Sequence, residues 1–292
     1  MGTTAVGHLI PWRTALRLGR VSNLPTVWSN VAAGVALAGG TVLDPALPVL
    51  LLAASLAYVA GMFLNDAFDR GIDAAERPER PIPAGEVRAS SVFGAGFAML
   101  AAAAALLFAL GLPAGAAGLA LAAAIVAYDV HHKGNSWSPL LMGACRALVY
   151  AAAGLAVAPD RTSWALAGGA AALLAYLIGL TYTAKQEGFG AVRNLWPLGF
   201  LAVPFAHALA ALPTRPEVAA ALALFAAWTG WALCLVLRRA GRDIRGAVGA
   251  FIAGISLLDG LLIVGAGRPE GIAIGLACWA LTLRLQRHVP GT

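Results

Sequence analysis

The sequence predicts an all-α polytopic membrane protein, and three observations lead to this fold class. Of the 292 residues, 60% are hydrophobic and only 12% are charged, with a mean hydropathy of +0.79. Soluble domains carry about 25% charged residues because their surface faces water. Long apolar runs recur along the whole chain, and the basic residues are concentrated in alternate connections between them. Most of the surface must therefore face lipid.

Nine apolar runs approach the roughly 20 residues that are needed to cross a bilayer of about 30 Å, and a tenth is shorter. They cover residues 21–40, 45–67, 91–111, 113–130, 139–158, 163–184, 194–212, 216–238, 246–265 and 269–285. We therefore predict a single domain over residues 1–292, a bundle of nine or ten transmembrane helices. Residues 1–20 lack the pattern of a removable signal peptide and are expected to form a cytoplasmic or interfacial segment.

The distribution of charge predicts the orientation of the bundle. All but four of the 20 Lys and Arg lie in one set of alternating connections, together with the N-terminal segment; the exceptions are Arg146, Arg161, Arg215 and Arg268. The positive-inside rule places that set in the cytoplasm. The net charge of +6 then reflects topology and affinity for anionic lipid head groups, so no nucleic-acid partner is predicted.

The three cysteines make neither a disulfide framework nor a metal-binding spacing. Cys145, Cys234 and Cys278 lie in three different apolar runs. We expect them to be small residues of the core.

The first polar connection follows the second run and carries a regular repeat of oxygen ligands. Asn65, Asp69 and Asp73 are four residues apart, with Asp66 beside them, so a continuing helix would place these side chains along one face. Clustered carboxylates repel one another unless a cation lies among them. Oxygen ligands without Cys or His suit Mg²⁺ completed by substrate phosphates. The alternative is a solvated acidic helix end neutralised by neighbouring arginines.

Prolines after this repeat should end the helix, and two arginines lie among them. Arg77 and Arg80 could bind phosphate oxygens through bidentate contacts. Their alternative role is to anchor the cytoplasmic side of the bundle.

The second and third polar connections supply further candidates. Tyr128 and Lys133 could donate to a phosphate, whereas His131 and His132 diverge on a helix and are expected to be merely interfacial. The third connection holds Lys185, Glu187 and Arg193. Glu187 could hold a second Mg²⁺, and Lys185 could reach a leaving diphosphate. A short charged turn is the simpler interpretation of this connection.

Three polar residues lie in apolar surroundings, where they need partners. Asn23 begins the first run, Asn30 lies one to two turns further in, and either could face a polar cavity. Asp259 falls in the middle of the ninth run. It is either a structural group paired with another side chain or part of a second functional site.

The first repeat, read as Asn65-Asp66-x-x-Asp69-x-x-x-Asp73 and followed by 77–85, resembles the first aspartate-rich motif of the UbiA superfamily of intramembrane prenyltransferases. The resemblance extends over the whole chain, and blocks 76–83 and 138–146 are most similar to the EboC-like branch, known from a bacterial export-associated gene cluster. It implies a helical bundle around a central cavity capped by cytoplasmic loops, in a bacterial-type inner membrane. It also implies a polyprenyl diphosphate bound through Mg²⁺, with Tyr128 and Lys133 matching the family's positions after the fourth span.

The second motif departs from the family pattern. The family shows two aspartates four residues apart after the sixth span, where this chain has only Glu187, with Ala at position 191. Two-metal catalysis is therefore open to question.

The function that the resemblance implies is Mg²⁺-dependent prenyl transfer from a polyprenyl diphosphate to an aromatic or other small hydrophobic acceptor. The expected catalytic carboxylates are Asp66, Asp69, Asp73 and Glu187, and the expected metal ligands are these four with Asn65. The expected diphosphate-binding residues are Asn23, Asn65, Arg77, Arg80, Tyr128, Lys133 and Lys185. Glu187 or Asp129 could accept the acceptor's proton. The rival hypothesis is a non-catalytic isoprenoid-lipid carrier or accessory protein for export, which the degenerate second motif favours.

Overall fold

The computed structural model describes residues 10–160, 163–185, 195–238, 241–289 and 291. Within these ranges all regular structure is helical, which confirms the all-α prediction. The α-helices are α1 (Trp12–Leu18), α2 (Leu24–Leu37), α3 (Leu47–Glu76), α4 (Ala89–Ala109), α5 (Leu112–His131), α6 (Ser138–Val157), α7 (Trp164–Lys185), α8 (Val203–Ala211), α9 (Val218–Leu237), α10 (Gly241–Gly265) and α11 (Gly271–Gln286). Two 3₁₀ helices precede α2 and α8, at Val21–Asn23 and Trp196–Ala202.

Each of the ten predicted runs contains one of these helices, but they differ in length. In the described ranges, seven helices are long and apolar enough to cross a membrane by length and composition: α3, α4, α5, α6, α7, α9 and the Ile244–Gly265 part of α10. The other three runs form shorter helices, namely α2, Trp196–Ala211 and α11. In the seventh run, Pro197 and Pro204 lie in the first turns of a 3₁₀ and an α segment, since proline lacks the N–H that a longer helix would need.

Helices α2 and α10 form the centre of the bundle. All residues of α2 except Leu24 and Trp28 are buried, and 89% of the apolar window of α10 is buried, compared with 28% for α4 and for α9. α2 packs against α3, α6, α10 and α11. The outer helices expose large apolar side chains such as Phe97 and Trp231, as expected for a surface that faces lipid.

Glycine allows the central helices to approach closely. A Cβ on Gly34 of α2 would lie 2.7 Å from the carbonyl oxygen of Tyr150 on α6. A Cβ on Gly260 of α10 would lie 2.6 Å from the carbonyl oxygen of Gly271 on α11. These contacts agree with the role of small residues in membrane helix packing, where lipid gives no hydrophobic drive for association.

The cysteines are free thiols, as predicted from their spacing. Their expected place in the core is wrong for Cys234, which is exposed, whereas Cys145 and Cys278 are half-buried. The reason is that Cys234 lies on the outward face of α9, a helix with most of its surface outside the bundle.

Candidate active site

The predicted carboxylate repeat lies on one buried face at the end of α3. The helix continues to Glu76, so Asp66, Asp69 and Asp73 follow one another over two turns as the spacing predicts. All three are buried, and Asp73 is only 1% exposed. Buried carboxylates require charged or hydrogen-bonding partners, and each of these has them.

Two arginines bind the first and last of these carboxylates. Arg80 bridges them, with its Nη1 3.1 Å from Asp66 Oδ1 and 2.8 Å from Asp73 Oδ2. The Nη2 of Arg20 lies 3.1 Å from the same Asp66 oxygen. The chain after Pro78 thus folds back over the end of α3 and places Arg80, a predicted phosphate-binding residue, directly on the aspartates.

Arg20 was counted in the sequence only as a basic residue of the N-terminal segment. Its backbone has φ 42° and ψ 48°, a left-handed conformation that costs a non-glycine residue about 1–2 kcal/mol. Its side chain binds Asp66, and its carbonyl oxygen accepts a hydrogen bond from the hydroxyl of Tyr58 at 3.4 Å. No local pattern could have revealed this role, because Arg20 and Asp66 are far apart in sequence.

The second polar connection meets the middle carboxylate. Asp69 Oδ2 lies 3.3 Å from His132 Nε2 and 3.6 Å from Lys133 Nζ. The Tyr128 ring stacks on the His132 ring, with centroids 5.0 Å apart. Lys133 thus lies beside Asp69 and Tyr128 lies against His132, and their role in binding a diphosphate stays a prediction. His132 is not merely interfacial, because the end of α5 turns its ring inward while the His131 side chain stays exposed.

The described start of the third connection contacts the second connection. Lys185 Nζ donates to the backbone carbonyl oxygen of Asn135 at 2.6 Å. The hydroxyl of Tyr182 donates to the backbone carbonyl oxygen of Ser136 at 2.7 Å. Glu187 and Arg193 lie outside the described residues, so the predicted second carboxylate has no described position.

Two predicted diphosphate-binding residues lie apart from the carboxylates. Arg77 is exposed after the last turn of α3, and within the described chain its side chain makes no ion pair with them. Asn23 is buried, but its amide group donates to the Gly291 carbonyl oxygen at 2.9 Å and accepts from Gln286 Nε2 at 3.1 Å. The C-terminal part of the chain thus takes one donor and one acceptor position of this amide.

The chemistry of the donor set fits Mg²⁺, but the described residues do not form a finished metal site. Every candidate ligand, Asn65, Asp66, Asp69 and Asp73, offers oxygen, which Mg²⁺ prefers. In the described parts of the chain no three acidic, His or Cys side chains converge as metal ligands. Basic side chains pair instead with each of the three carboxylates. Mg²⁺ bound here would depend on substrate phosphates to complete its ligand set.

A cavity of about 80 Å³ adjoins the carboxylates between α2, α3, α5 and α6. Asn65 connects the two, since its Nδ2 donates to Asp129 Oδ1 at 3.2 Å and Asp129 lines the cavity. The walls are mostly apolar, with four polar side chains among them. The lining residues are Val27, Ala54, Ala57, Tyr58, Gly61, Met62, Leu121, Ile125, Tyr128, Asp129, Met142, Cys145, Arg146 and Val149.

Asp129 is prominent among the polar lining residues. It is 4% exposed, and its Oδ2 has no hydrogen-bond partner among the described atoms. The sequence signal was its place next to Tyr128 at the end of an apolar run. A second polar residue of the wall, Arg146, was visible only as a charge inside a predicted helix.

Comparison with known proteins agrees with this architecture. The model of the UbiA prenyltransferase family matches residues 26–255. Three curated relatives are digeranylgeranylglyceryl phosphate synthases. The one from Methanothrix thermoacetophila is 36% identical over 75 residues, which are 25% of this chain and 28% of that protein. The one from Ignicoccus hospitalis is 40% identical over 91 residues (30% and 29%), and the one from Haloquadratum walsbyi is 39% identical over 93 residues (31% and 32%).

The chain thus matches less than a third of the length of each of these relatives. A solved structure described as giving insight into digeranylgeranylglyceryl phosphate synthase in membranes matches with a TM-score of 0.60 at 17% identity. That match covers 87% of this chain and 98% of the other, and it shows a shared fold. The finer similarity to the EboC-like branch stays a prediction. Because the family model covers most of the sequence and the fold agrees, this integral membrane chain belongs to the UbiA prenyltransferase family.

Proposed function

We propose that this chain transfers a prenyl group from a polyprenyl diphosphate to an aromatic or other small hydrophobic acceptor within the membrane, with Mg²⁺ as cofactor. The observation that carries the proposal is the arrangement at the end of α3. Three buried carboxylates on one helical face meet basic side chains from three separate segments, next to a mostly apolar cavity. Anionic and cationic groups together suit a metal–diphosphate pair better than either alone.

Asp66, Asp69 and Asp73, with Asn65, would hold the metal. Mg²⁺ bound to the diphosphate oxygens supplies positive charge that favours departure of the diphosphate. Arg20, which was not among the site residues predicted from sequence, is a further candidate for binding the phosphate groups, together with Arg80 and Lys133.

Negative charge builds up on the leaving diphosphate as the allylic C–O bond breaks, so cations fixed beside it stabilise the transition state most. Arg20, Arg80 and Lys133 are already positioned by the carboxylates at 2.8–3.6 Å. In our proposal these three side chains would bind the diphosphate once Mg²⁺ neutralised the carboxylates that they now pair with. The neighbouring cavity keeps water away from the allylic carbon. The acceptor attacks there and releases a proton, for which Asp129 in the cavity wall is the described base candidate.

The orientation in the membrane is part of the proposal. The end of α3 contacts both the segment after α1 and the α5–α6 connection, and the α5–α6 connection contacts the end of α7, so these segments lie at one end of the bundle. The positive-inside distribution supports placing this end in the cytoplasm. The bacterial-type inner membrane is what the family resemblance implies.

The rival proposal is a non-catalytic carrier of an isoprenoid lipid. It is favoured by Ala191 in the place of a second-motif aspartate. It is also favoured by the lack, in the described ranges, of a carboxylate cluster ready to bind metal without substrate. A carrier would bind the prenyl diphosphate and release no diphosphate.

The test uses the purified chain in nanodiscs with labelled geranylgeranyl diphosphate, Mg²⁺ and a panel of aromatic and glyceryl phosphate acceptors. Glyceryl phosphates are included because three relatives are named for such a product. Donor binding and diphosphate release are both measured, for the wild type and for Asp66→Ala. Asp160→Ala, which removes an exposed carboxylate from the α6–α7 connection, is the matched control.

Prenyl transfer predicts diphosphate release that requires Mg²⁺, one acceptor and Asp66, and that is unchanged in Asp160→Ala. Asp66-dependent binding without release across the panel would favour the carrier. Donor binding that is equal in the wild type and in Asp66→Ala would refute the assignment of the site.

A further inference from the structure

A second polar cluster lies behind the cavity, around the buried Asp259 of α10. This carboxylate is fully buried, and it accepts hydrogen bonds from the hydroxyls of Ser29 and Tyr150. The Nδ2 of Asn30 also donates to both of its oxygens, at 3.0 and 2.8 Å. An ionisable side chain at such a depth is costly and commonly marks function, so its use needs an explanation.

Asn30 links this carboxylate to an arginine in the cavity wall. Its Oδ1 accepts from Arg146 Nη1 at 2.8 Å, while Arg146 Nη2 donates to Thr26 Oγ1 at 3.1 Å. The guanidinium carbon lies 5.4 Å from the centroid of the Tyr58 ring. Two hydrogen bonds and an aromatic face therefore hold the guanidinium in one place.

The arginine retains donors for a ligand. A guanidinium has five N–H groups, and the described chain uses two of them in hydrogen bonds. No described carboxylate contacts Arg146 directly, because Asn30 stands between it and Asp259. The cavity that Arg146 lines has a volume of about 80 Å³, several times the roughly 10–15 Å³ that one water needs, so it has room for a small carboxylate or phosphate group.

We propose that Arg146 binds an anionic oxygen group of the acceptor, a carboxylate or a phosphate, and that Asp259 positions Arg146 through Asn30. The inference rests on the proposed prenyl transfer and specifies its acceptor. A guanidinium binds both kinds of group through two parallel hydrogen bonds, whereas a hydrocarbon chain would leave its remaining donors unpaired.

The position of Arg146 separates this group from the donor's diphosphate. The Arg146 guanidinium lies against the ring of Tyr58. Tyr58 precedes Asp66 by eight residues on α3, or about 12 Å along the helix axis. Arg20, Arg80 and Lys133 already surround the carboxylates. The acceptor's anionic end would thus lie deeper in the bundle than the leaving diphosphate.

The test measures binding of small probes to the full chain in phosphatidylcholine nanodiscs. Benzoate and phenyl phosphate represent the two anionic groups, and methyl benzoate is their neutral match. Geranylgeranyl thiodiphosphate with Mg²⁺ reports the donor site separately. The variants are Arg146→Gln, Arg146→Lys and Asp259→Asn, with the exposed Arg88→Gln as the control.

We expect Arg146→Gln to weaken binding of one anionic probe roughly tenfold or more and to leave the donor analogue and the neutral probe within about twofold of wild type. Arg146→Lys keeps the charge and should retain part of the affinity, which keeps the test valid where the glutamine variant fails to fold. Asp259→Asn should weaken the same probe less than Arg146→Gln, because it loosens the guanidinium without removing it. Preference for benzoate or for phenyl phosphate identifies the group.

Equal anion affinity in the wild type and in Arg146→Gln would overturn the inference, and so would a wild type that binds the donor analogue and neither anionic probe. Loss of the donor analogue in Arg146→Gln, to the level of Asp66→Ala, would show that Arg146 serves the diphosphate and not the acceptor. Arg146-dependent anion binding without donor binding would instead refute the proposed function and leave the anion site standing.

Discussion

The coupling between Asp259 and Arg146 gives the sharpest stability prediction. Replacing Asp259 with Leu removes a carboxylate that accepts from Ser29, Asn30 and Tyr150, and it removes the nearest buried counter-charge of Arg146. Two physical effects then compete as the main source of the loss. One is the loss of hydrogen bonds, and the other is the isolation of a charged guanidinium in a region of low dielectric.

The magnitudes distinguish these effects. Hydrogen bonds between membrane helices contribute about 0.6 kcal/mol each, so three of them amount to about 2 kcal/mol. Removing one partner of a buried charge pair costs about 3–5 kcal/mol. We therefore expect Asp259→Leu and Arg146→Met each to lower the free energy of unfolding by about 3–5 kcal/mol. The double variant leaves neither charge and lacks five hydrogen bonds, three at Asp259 and two at Arg146, so it should lose about 3 kcal/mol, well below the sum of the two single losses.

The assay is reversible unfolding in mixed detergent micelles with increasing dodecyl sulfate, followed by tryptophan fluorescence, for the wild type, both single variants and the double variant. Asp160→Leu serves as the control, since Asp160 is exposed and should change the free energy by no more than about 0.5 kcal/mol. Losses that add in the double variant would show that the two charges are independent and would refute the reasoning. A loss near 2 kcal/mol in the single variant Asp259→Leu would mean that the loss of hydrogen bonds accounts for the whole destabilisation.

Three further predictions concern the bundle and the end of it that carries the site carboxylates. Arg80→Gln removes the bridge between two site carboxylates. It should weaken binding of geranylgeranyl thiodiphosphate roughly tenfold, which is the effect of losing one charged hydrogen bond. Unchanged affinity in a filter-binding assay would contradict a role of Arg80 in phosphate binding. Gly34→Leu places a side chain against the Tyr150 backbone, so it should cost about 1–3 kcal/mol of unfolding free energy; an unchanged dodecyl sulfate midpoint would argue against the close helix contact. Glu86→Gln breaks the ion pair of 2.9 Å with Arg17, in which both side chains are partly exposed, and should cost at most about 1 kcal/mol; a larger loss in the same titration would show that this pair holds the N-terminal segment in place.

Much of the bundle could be predicted from sequence because a membrane restricts what a chain can do. Each of the ten predicted apolar runs contains a helix, since backbone polar groups in lipid must be satisfied within the segment. The helical face of Asp66, Asp69 and Asp73 followed from spacing alone, because 3.6 residues per turn determine which side chains are neighbours. Helix length was less predictable, since α2 and α11 are shorter than a full span and α2 owes its place to packing at the centre.

The tertiary structure alone decided which polar groups meet. Asp66 pairs with Arg20 from the N-terminal segment, and Asp259 of the ninth run reaches Arg146 of the fifth through Asn30 of the first. Such pairs join residues that are distant in sequence, and their identity depends on which helices lie side by side. Periodicity within one helix carries no information about its neighbours. The sequence by itself therefore determined the membrane class, the helices and the carboxylate face, and the packing of α2 against α3, α6 and α10 determined the ion pairs, the cavity and the buried cluster behind it.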